Sequence, residues 1–193
     1  MPAKISNRDQ AAAAHGLRTP LEGTASRPWI EGEQIASPLK LISPTVPPEW
    51  VDYNGHMSES CYLLAFGDHA DALFRFIGID EAYRDAGQSL FTVQTMICNL
   101  AEAHLGDQLE LTLQVLDIDE RRLHIFHTMR SAATGELLAT GEQMLVHVDL
   151  AAEQAKPMPP ELFKRVCAIR SAHAGLPVPP QAGRNIAIRR APG

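Results

Sequence analysis

The spacing of apolar and polar positions divides the chain into stretches of different period. Up to Pro38 the residues are mainly Ala, Gly, Ser, Thr and Pro with scattered charges and no sustained period, which predicts a poorly ordered arm over 1–38. Trp29 and Ile30 are its apolar anchors, either docked on the body or singly exposed. In LKLISPTVPPEW, Pro44, Pro47 and Pro48 cannot donate to a ladder and limit any strand to a short or edge piece. Ser58 then stands as N-cap to SESCYLLAFGDHADALFRFIG, where Tyr62, Phe66, His69, Leu73 and Phe76 recur at steps of three and four. Leu63, Leu64, Ala70, Phe74 and Ile77 make this helix apolar nearly all round, so other structure should wrap it, and Gly78 supplies its stop.

Downstream the period becomes extended. SLFTVQTMICNLAEAH, QLELTLQVLDID, RRLHIFHTMRS and ELLATGEQMLVHVD predict four successive antiparallel strands, separated by turn signals at Leu105-Gly106-Asp107 and Ala133-Thr134-Gly135. PPELFKRVCAIRSAHAG opens on prolines and spaces Leu162, Val166 and Ile169 as a helix does. The expected organisation is α+β: a domain over 39–175 in which a curved antiparallel sheet wraps one buried helix, then an irregular tail over 176–193.

Composition narrows the partners. With 193 residues and 45% hydrophobic content the chain suffices for one well-buried core. A net charge of −6 and a pI near 5.7 argue against nucleic acid as a partner, since its binders need a basic surface to displace condensed counterions. Cys61, Cys98 and Cys167 are odd in number and widely spaced, so neither a disulfide framework nor a structural zinc site is indicated, and a reducing cytoplasm is expected. No apolar run approaches the ~20 residues of a membrane span, and no secretory signal core precedes Ser26.

VxxxxVDYNGHM ahead of the apolar helix, followed by LAEAHLGDQLELTLQV, resembles the hotdog-fold acyl-CoA thioesterases of the 4-hydroxybenzoyl-CoA thioesterase type. DYNGHMSESCYLLAFGDHADALFRFIGID, QVLDIDERRLHIFHTM and ELLATGEQMLVHVD are similar, more narrowly, to the betainyl-CoA thioesterases of bacterial carnitine breakdown, over about Leu39 to Leu150. The resemblance implies a cytoplasmic hydrolase that converts a short polar acyl-CoA, betainyl-CoA first, to the acid and CoA. It also implies a homodimer or homotetramer with no cofactor. A hotdog hydratase or dehydratase and a non-catalytic acyl-CoA-binding protein are the alternatives.

Thioester hydrolysis needs a group that activates water or attacks the acyl carbon, and donors for the developing oxyanion. The resemblance implies that Asp52, ahead of the Gly55 turn, is that base or nucleophile; capping the turn is its other role. First-turn amides around Ser58, Glu59 and Ser60 are the expected oxyanion donors, where the helix dipole also favours negative charge. Asn54 and Gly55 form a tight turn, with Asn54 also able to orient water. His56 either assists proton transfer or caps the helix. Glu102 is expected on the first long strand, sharing a face with Thr92, Gln94, Met96, Cys98 and Leu100, either lining a pocket or solvated. Trp50 and Tyr53, flanking Asp52, are the aromatic candidates for a quaternary ammonium group, and Met57 completes the lining; Tyr62 and Phe91 read as packing. Arg121 and Arg122, or Arg184, Arg189 and Arg190, are available for CoA phosphates.

No residue is assigned to a metal. His124 and His127 should point to opposite faces of a strand, and His147 and Asp149 lack neighbouring ligands. Asp68, His69 and Asp71 diverge around a helix, and Cys61 suits packing better than nucleophilic chemistry.

Overall fold

From Ser58, extended at φ −60° and ψ 144°, the chain enters α1, Glu59–Ile77. Gly78 ends the helix in the left-handed region at φ 99°, and the Ile79 amide turns back to the Phe74 carbonyl at 2.7 Å. The structure, a computed structural model, describes residues 28–188. After α1 come a short helix that the apolar spacing does not reveal, α2 (Glu81–Asp85), and four long strands: β1 (Gln88–Asn99), β2 (Leu109–Ile118), β3 (Arg122–Ser131) and β4 (Leu137–Asp149). A two-residue β5 (Gln154–Ala155) and α3 (Pro160–Ala172) follow.

All strand pairs are antiparallel, in the order β1-β4-β3-β2, so β1 pairs with β4 and not with its sequence neighbour β2. Register shifts at Thr92/Gln94, Val115/Asp117 and Met129/Arg130 mark bulges, which bend the strands that carry them. The proline-rich LKLISPTVPPEW stretch makes only isolated bridges, Leu39 to Leu113 and Thr45 to Gln108, before a 3-10 turn at Pro48–Trp50.

One face of the sheet and α1 close two apolar clusters. Leu73, Ile77, Leu113, Ile125 and Leu145 pack with Val166 and Ile169 of α3. Trp50, Met57, Cys61, Tyr62 and Phe66 pack with Leu109, Leu111, Met129 and Leu138. Phe66 is fully buried, a burial worth about 1.5–3 kcal/mol. It lies so close to β4 that a Cβ on Gly141 would come 2.8 Å from its ring. Gly141→Ala is therefore expected to cost about 1–3 kcal/mol through overpacking, read as a lowered urea midpoint. An unchanged midpoint would mean that the ring gives way.

The sheet wraps α1 as expected, leaving one narrow side open. Glu59, Ser60, Leu63 and Gly67 form an exposed stripe on the N-terminal half of α1, Leu63 being 48% exposed. One sheet and α3 cover the other sides, and no described element reaches this one.

Residues 28–38 correct the expectation of a poorly ordered arm up to Pro38. Trp29 packs on Phe76 with ring centroids 5.2 Å apart, whereas Ile30 is exposed. His173 Nδ1 accepts from the Val115 amide at 2.9 Å, which leaves its Nε2–H to donate to the Ala36 carbonyl at 3.1 Å. This neutral imidazole ties β2, α3 and the incoming segment together, and burial lowers its pKa. The rest of the arm lies outside the described residues. From Leu176 to Ile188 the chain forms no helix or strand.

Two buried imidazoles sit where α1 meets the sheet. His69 Nδ1 and His127 Nδ1 are 3.2 Å apart, and His127 Nε2 lies 3.1 Å from Gln143 Oε1. With Gln143 accepting, His127 is protonated on Nε2 and its Nδ1 accepts from His69, leaving His69 Nε2 buried without a partner. His124 faces the other way and meets Glu142 at 2.6 Å, so the two histidines of HIFH do take opposite faces. His147 binds the Tyr83 hydroxyl at 2.7 Å, Asp149 caps the following turn, and Asp71 pairs with Arg75 at 3.1 Å.

Candidate active site

A closed loop presents the DYNGH stretch. Val51 bridges Met57, the Asp52 amide donates to the His56 carbonyl at 3.0 Å, and the Gly55 amide to the Asp52 carbonyl at 3.0 Å. Gly55 takes φ 82°, which favours glycine. Asp52 Oδ1 accepts from the Asn54 amide at 2.8 Å, so the capping role exists and occupies one carboxylate oxygen.

The Met57 amide donates to the Ala103 carbonyl at 2.7 Å and so joins this loop to the segment after β1. Asp52, His56, Met57, Glu59, Tyr62, Asn99, Leu100, Ala101 and Glu102 line a cavity of about 350 Å3. Glu102, 46 residues after His56 and 50 after Asp52, is thus brought to the same cavity as both.

Glu102 arrives by a different route from the expected one. β1 ends at Asn99, and the Leu100 and Ala101 amides both turn to the Leu138 carbonyl, at 2.9 and 3.1 Å. The bulge at Thr92/Gln94 also breaks the alternation that had grouped Thr92, Gln94, Met96, Cys98, Leu100 and Glu102 on one face. Gln94 and Met96 line a separate cavity with His124 and Glu142. Beyond the strand, Glu102 Oε2 lies 3.2 Å from His56 Nε2. Its carboxylate is 65% exposed, and a pair this exposed contributes at most about 1 kcal/mol, so its weight lies in placing the imidazole.

The helix start is narrower as a donor set than expected. The Ser58 amide already donates to the Trp50 carbonyl at 2.8 Å, and the Cys61 amide to the Ser58 carbonyl at 2.9 Å. Ser58 gives no side-chain cap. The first-turn amides of Glu59 and Ser60, which have no intrahelical acceptor, remain to face a developing charge.

The aromatic expectations reverse. Trp50 is 8% exposed and packs in the core, while Tyr53 is 97% exposed, so the two diverge from Asp52 and form no cage within the subunit. Trp50 closes the 3-10 turn Pro48–Trp50 and Tyr53 stands in the separate tight turn after Asp52, so the two side chains leave different pieces of backbone. Tyr62, read as packing, lines the cavity; its hydroxyl accepts from the Ala103 amide at 3.2 Å. Burial raises the phenol pKa, the Ala103 hydrogen bond opposes this, and the charges of Glu102 and Asp107 add to the rise. Cys61 is buried in the second cluster.

The arginine candidates lie elsewhere. Arg122 is held by Asp119 at 2.7 Å, and with Arg121 it lines a cavity beside Val146 of about 520 Å3. Seven residues of β4 separate Val146 from Ala139, the partner of Asn99, or about 23 Å along the strand. Arg184 bonds the Pro180 carbonyl at 2.7 Å; Arg189 and Arg190 lie outside the described residues. The residue that sequence reasoning missed is His104, bridged to His56. The Glu-x-His spacing was its signal, since alternate residues of an extended segment share a side.

Residues 46–166 match the model of the thioesterase-like superfamily. A Pseudomonas aeruginosa betainyl-CoA thioesterase is 44% identical over 151 residues, 78% of this chain and 95% of that one. A Rhizobium meliloti L-carnitine dehydrogenase/betainyl-CoA thioesterase is 46% identical over 155 residues, 80% of this chain, and the match spans only 31% of that longer protein. A Staphylococcus aureus protein solved in complex with CoA superposes with a TM-score of 0.72 at 26% identity, over 81% of this chain and all of its own. No described helix is long and apolar enough to cross a membrane. The sheet wrapped on α1 is the hotdog arrangement, and the chain belongs to the thioesterase-like superfamily.

Proposed function

We propose that this chain hydrolyses an acyl-CoA thioester and that betainyl-CoA is its substrate. The observation that carries the reading is the placement of the Asp52 carboxylate and the uncapped start of α1 on one cavity. The thioester carbonyl oxygen faces the Glu59 and Ser60 amides, where the helix dipole favours the oxyanion. Asp52 attacks the acyl carbon or takes a proton from the attacking water; both routes need the ionised carboxylate. His56 stands at the rim with its Nε2 3.2 Å from Glu102 Oε2. Asn54 and Gly55 hold the turn that presents Asp52.

The lining also supports a cationic acyl group. Asp52, Glu59 and Glu102 bring three carboxylates to a cavity that the Tyr62 phenol also lines. A quaternary ammonium group is drawn to such a field and to a ring face without needing a hydrogen bond. The Pseudomonas aeruginosa and Rhizobium relatives support the same choice.

Pairing into a homodimer or homotetramer is part of the reading. β1 is an edge strand with Phe91 51% and Val93 60% exposed, the kind of edge that partners cover. The test of function is CoA release from a panel of acyl-CoAs that includes betainyl-CoA and its uncharged carbon isostere, 3,3-dimethylbutanoyl-CoA. Betainyl-CoA is expected to be preferred at least tenfold in kcat/KM. Equal use of the two would remove the cation from the reading. Hydration of crotonyl-CoA without thiol release would replace hydrolysis, and tight binding without turnover would leave a binding protein.

A further inference from the structure

We infer that His56, Glu102 and His104 form a binding site for a divalent transition-metal ion such as zinc. The sequence offered no reason to assign a metal, because His56 lies 46 residues before Glu102. One ring nitrogen from each histidine and one Glu102 oxygen lie within 4.8 Å of one another. The His56 Nε2 to Glu102 Oε2 separation is 3.2 Å. Two ligands bound at about 2.0–2.1 Å to a tetrahedral ion sit about 3.3 Å apart, so this edge is already at bonding spacing. The two imidazoles meet edge to face with centroids 5.0 Å apart, and a modest ring rotation brings His104 onto the same ion.

The backbone prearranges these donors. His56 and His104 are antiparallel bridge partners, and Glu102 and His104, two apart in the same segment, project to the side that His56 faces. The Met57 amide holds the Ala103 carbonyl at 2.7 Å, and the Ala103 amide is fixed on the Tyr62 hydroxyl at 3.2 Å. Asp107 Oδ2 accepts from the His104 amide at 2.8 Å and so fixes the backbone that carries this imidazole. Two imidazoles and a carboxylate suit zinc, cobalt or nickel better than calcium or magnesium, which prefer all-oxygen sets. Glu102 and His104 are 65% and 58% exposed, so the remaining coordination position opens to water.

The experiment is calorimetric titration of the chelator-stripped, untagged full chain with zinc, repeated with His104→Ala and with Glu102→Gln. Cobalt substitution, followed by its visible absorption, reports the ligand field. One ion per chain is expected, with affinity at least a hundredfold weaker in His104→Ala and the tetrahedral cobalt spectrum lost. Circular dichroism and thermal unfolding of the stripped variants confirm that they are folded. No saturable binding by the wild-type chain, or wild-type affinity in folded His104→Ala, would overturn the site. Because the readout is binding, the result is independent of the fate of Asp52 in hydrolysis.

Discussion

Asp52→Asn lowers kcat for CoA release from betainyl-CoA by about 10²–10⁴-fold, the range that a positioned base contributes. The substitution isolates the charge. Asparagine keeps an Oδ1 that can accept the Asn54 amide, now 2.8 Å from the aspartate oxygen, so the turn survives. The Asp52 and Gly55 backbone hydrogen bonds do not involve the side chain. What disappears is the anion that attacks the acyl carbon or deprotonates water. KM should change little by comparison, since the Glu59 and Glu102 carboxylates and the Tyr62 ring stay on the cavity. The thermal midpoint should also stay near the wild type. Equal turnover by the two proteins would exclude Asp52 from the chemistry and leave only its capping role. A large loss accompanied by a fallen midpoint would point to the turn instead.

The second large effect is loss of stability in mild acid, from the buried pair between α1 and the sheet. Burial pushes the His127 pKa down to about 4, with the Gln143 hydrogen bond opposing the fall, and burial then the nearby His127 hold His69 well below the ordinary range. In the unfolded chain both titrate near 6.5. Between those limits the unfolded state binds protons that the folded state refuses. The stability is therefore present in full above about pH 6.5 and is lost as the pH falls towards the folded-state values. Each neutral imidazole costs about 1.4 kcal/mol per pH unit inside this window, so the two together cost about 2.7. His127 alone accounts for about 3 kcal/mol by pH 4. His147 and His173, whose pKa values burial also lowers, add in the same direction. Asp119 and Asp149, lowered by hydrogen bonds to arginine and to backbone amides, act only in a more acidic window. Urea unfolding at pH 7.5, 6.5, 5.5 and 4.5 measures the slope. His127→Leu should remove about one proton from it, whatever the variant's absolute stability. A flat profile between pH 6.5 and 5 would show that these imidazoles are not neutral in the folded chain.

Local chemistry determined much of this protein on its own. The three-and-four spacing from Tyr62 to Phe76, ended by Gly78, specifies α1 because helix geometry repeats over neighbouring residues. Alternation does the same for the strands, and Asp52-x-Asn54-Gly55 specifies a turn whose hydrogen bonds all close within five residues. Those features also placed Asp52 and the helix start side by side, since only a few residues separate them.

What the sequence left open depends on contacts between distant segments. The pairing of β1 with β4, and not with β2, is settled by which faces bury together, and no local period encodes it. The end of β1 at Asn99 undoes the alternation argument for Glu102, because alternation holds only within a strand, and the bulge at Thr92/Gln94 parts Thr92 from the later positions. Trp50 turns into the core and Tyr53 into water because the cluster with Met57 and Tyr62 has a place for the first and none for the second. Only the tertiary structure brings His56, Glu102 and His104 together, because the Met57 to Ala103 hydrogen bond that aligns their segments joins residues 46 apart.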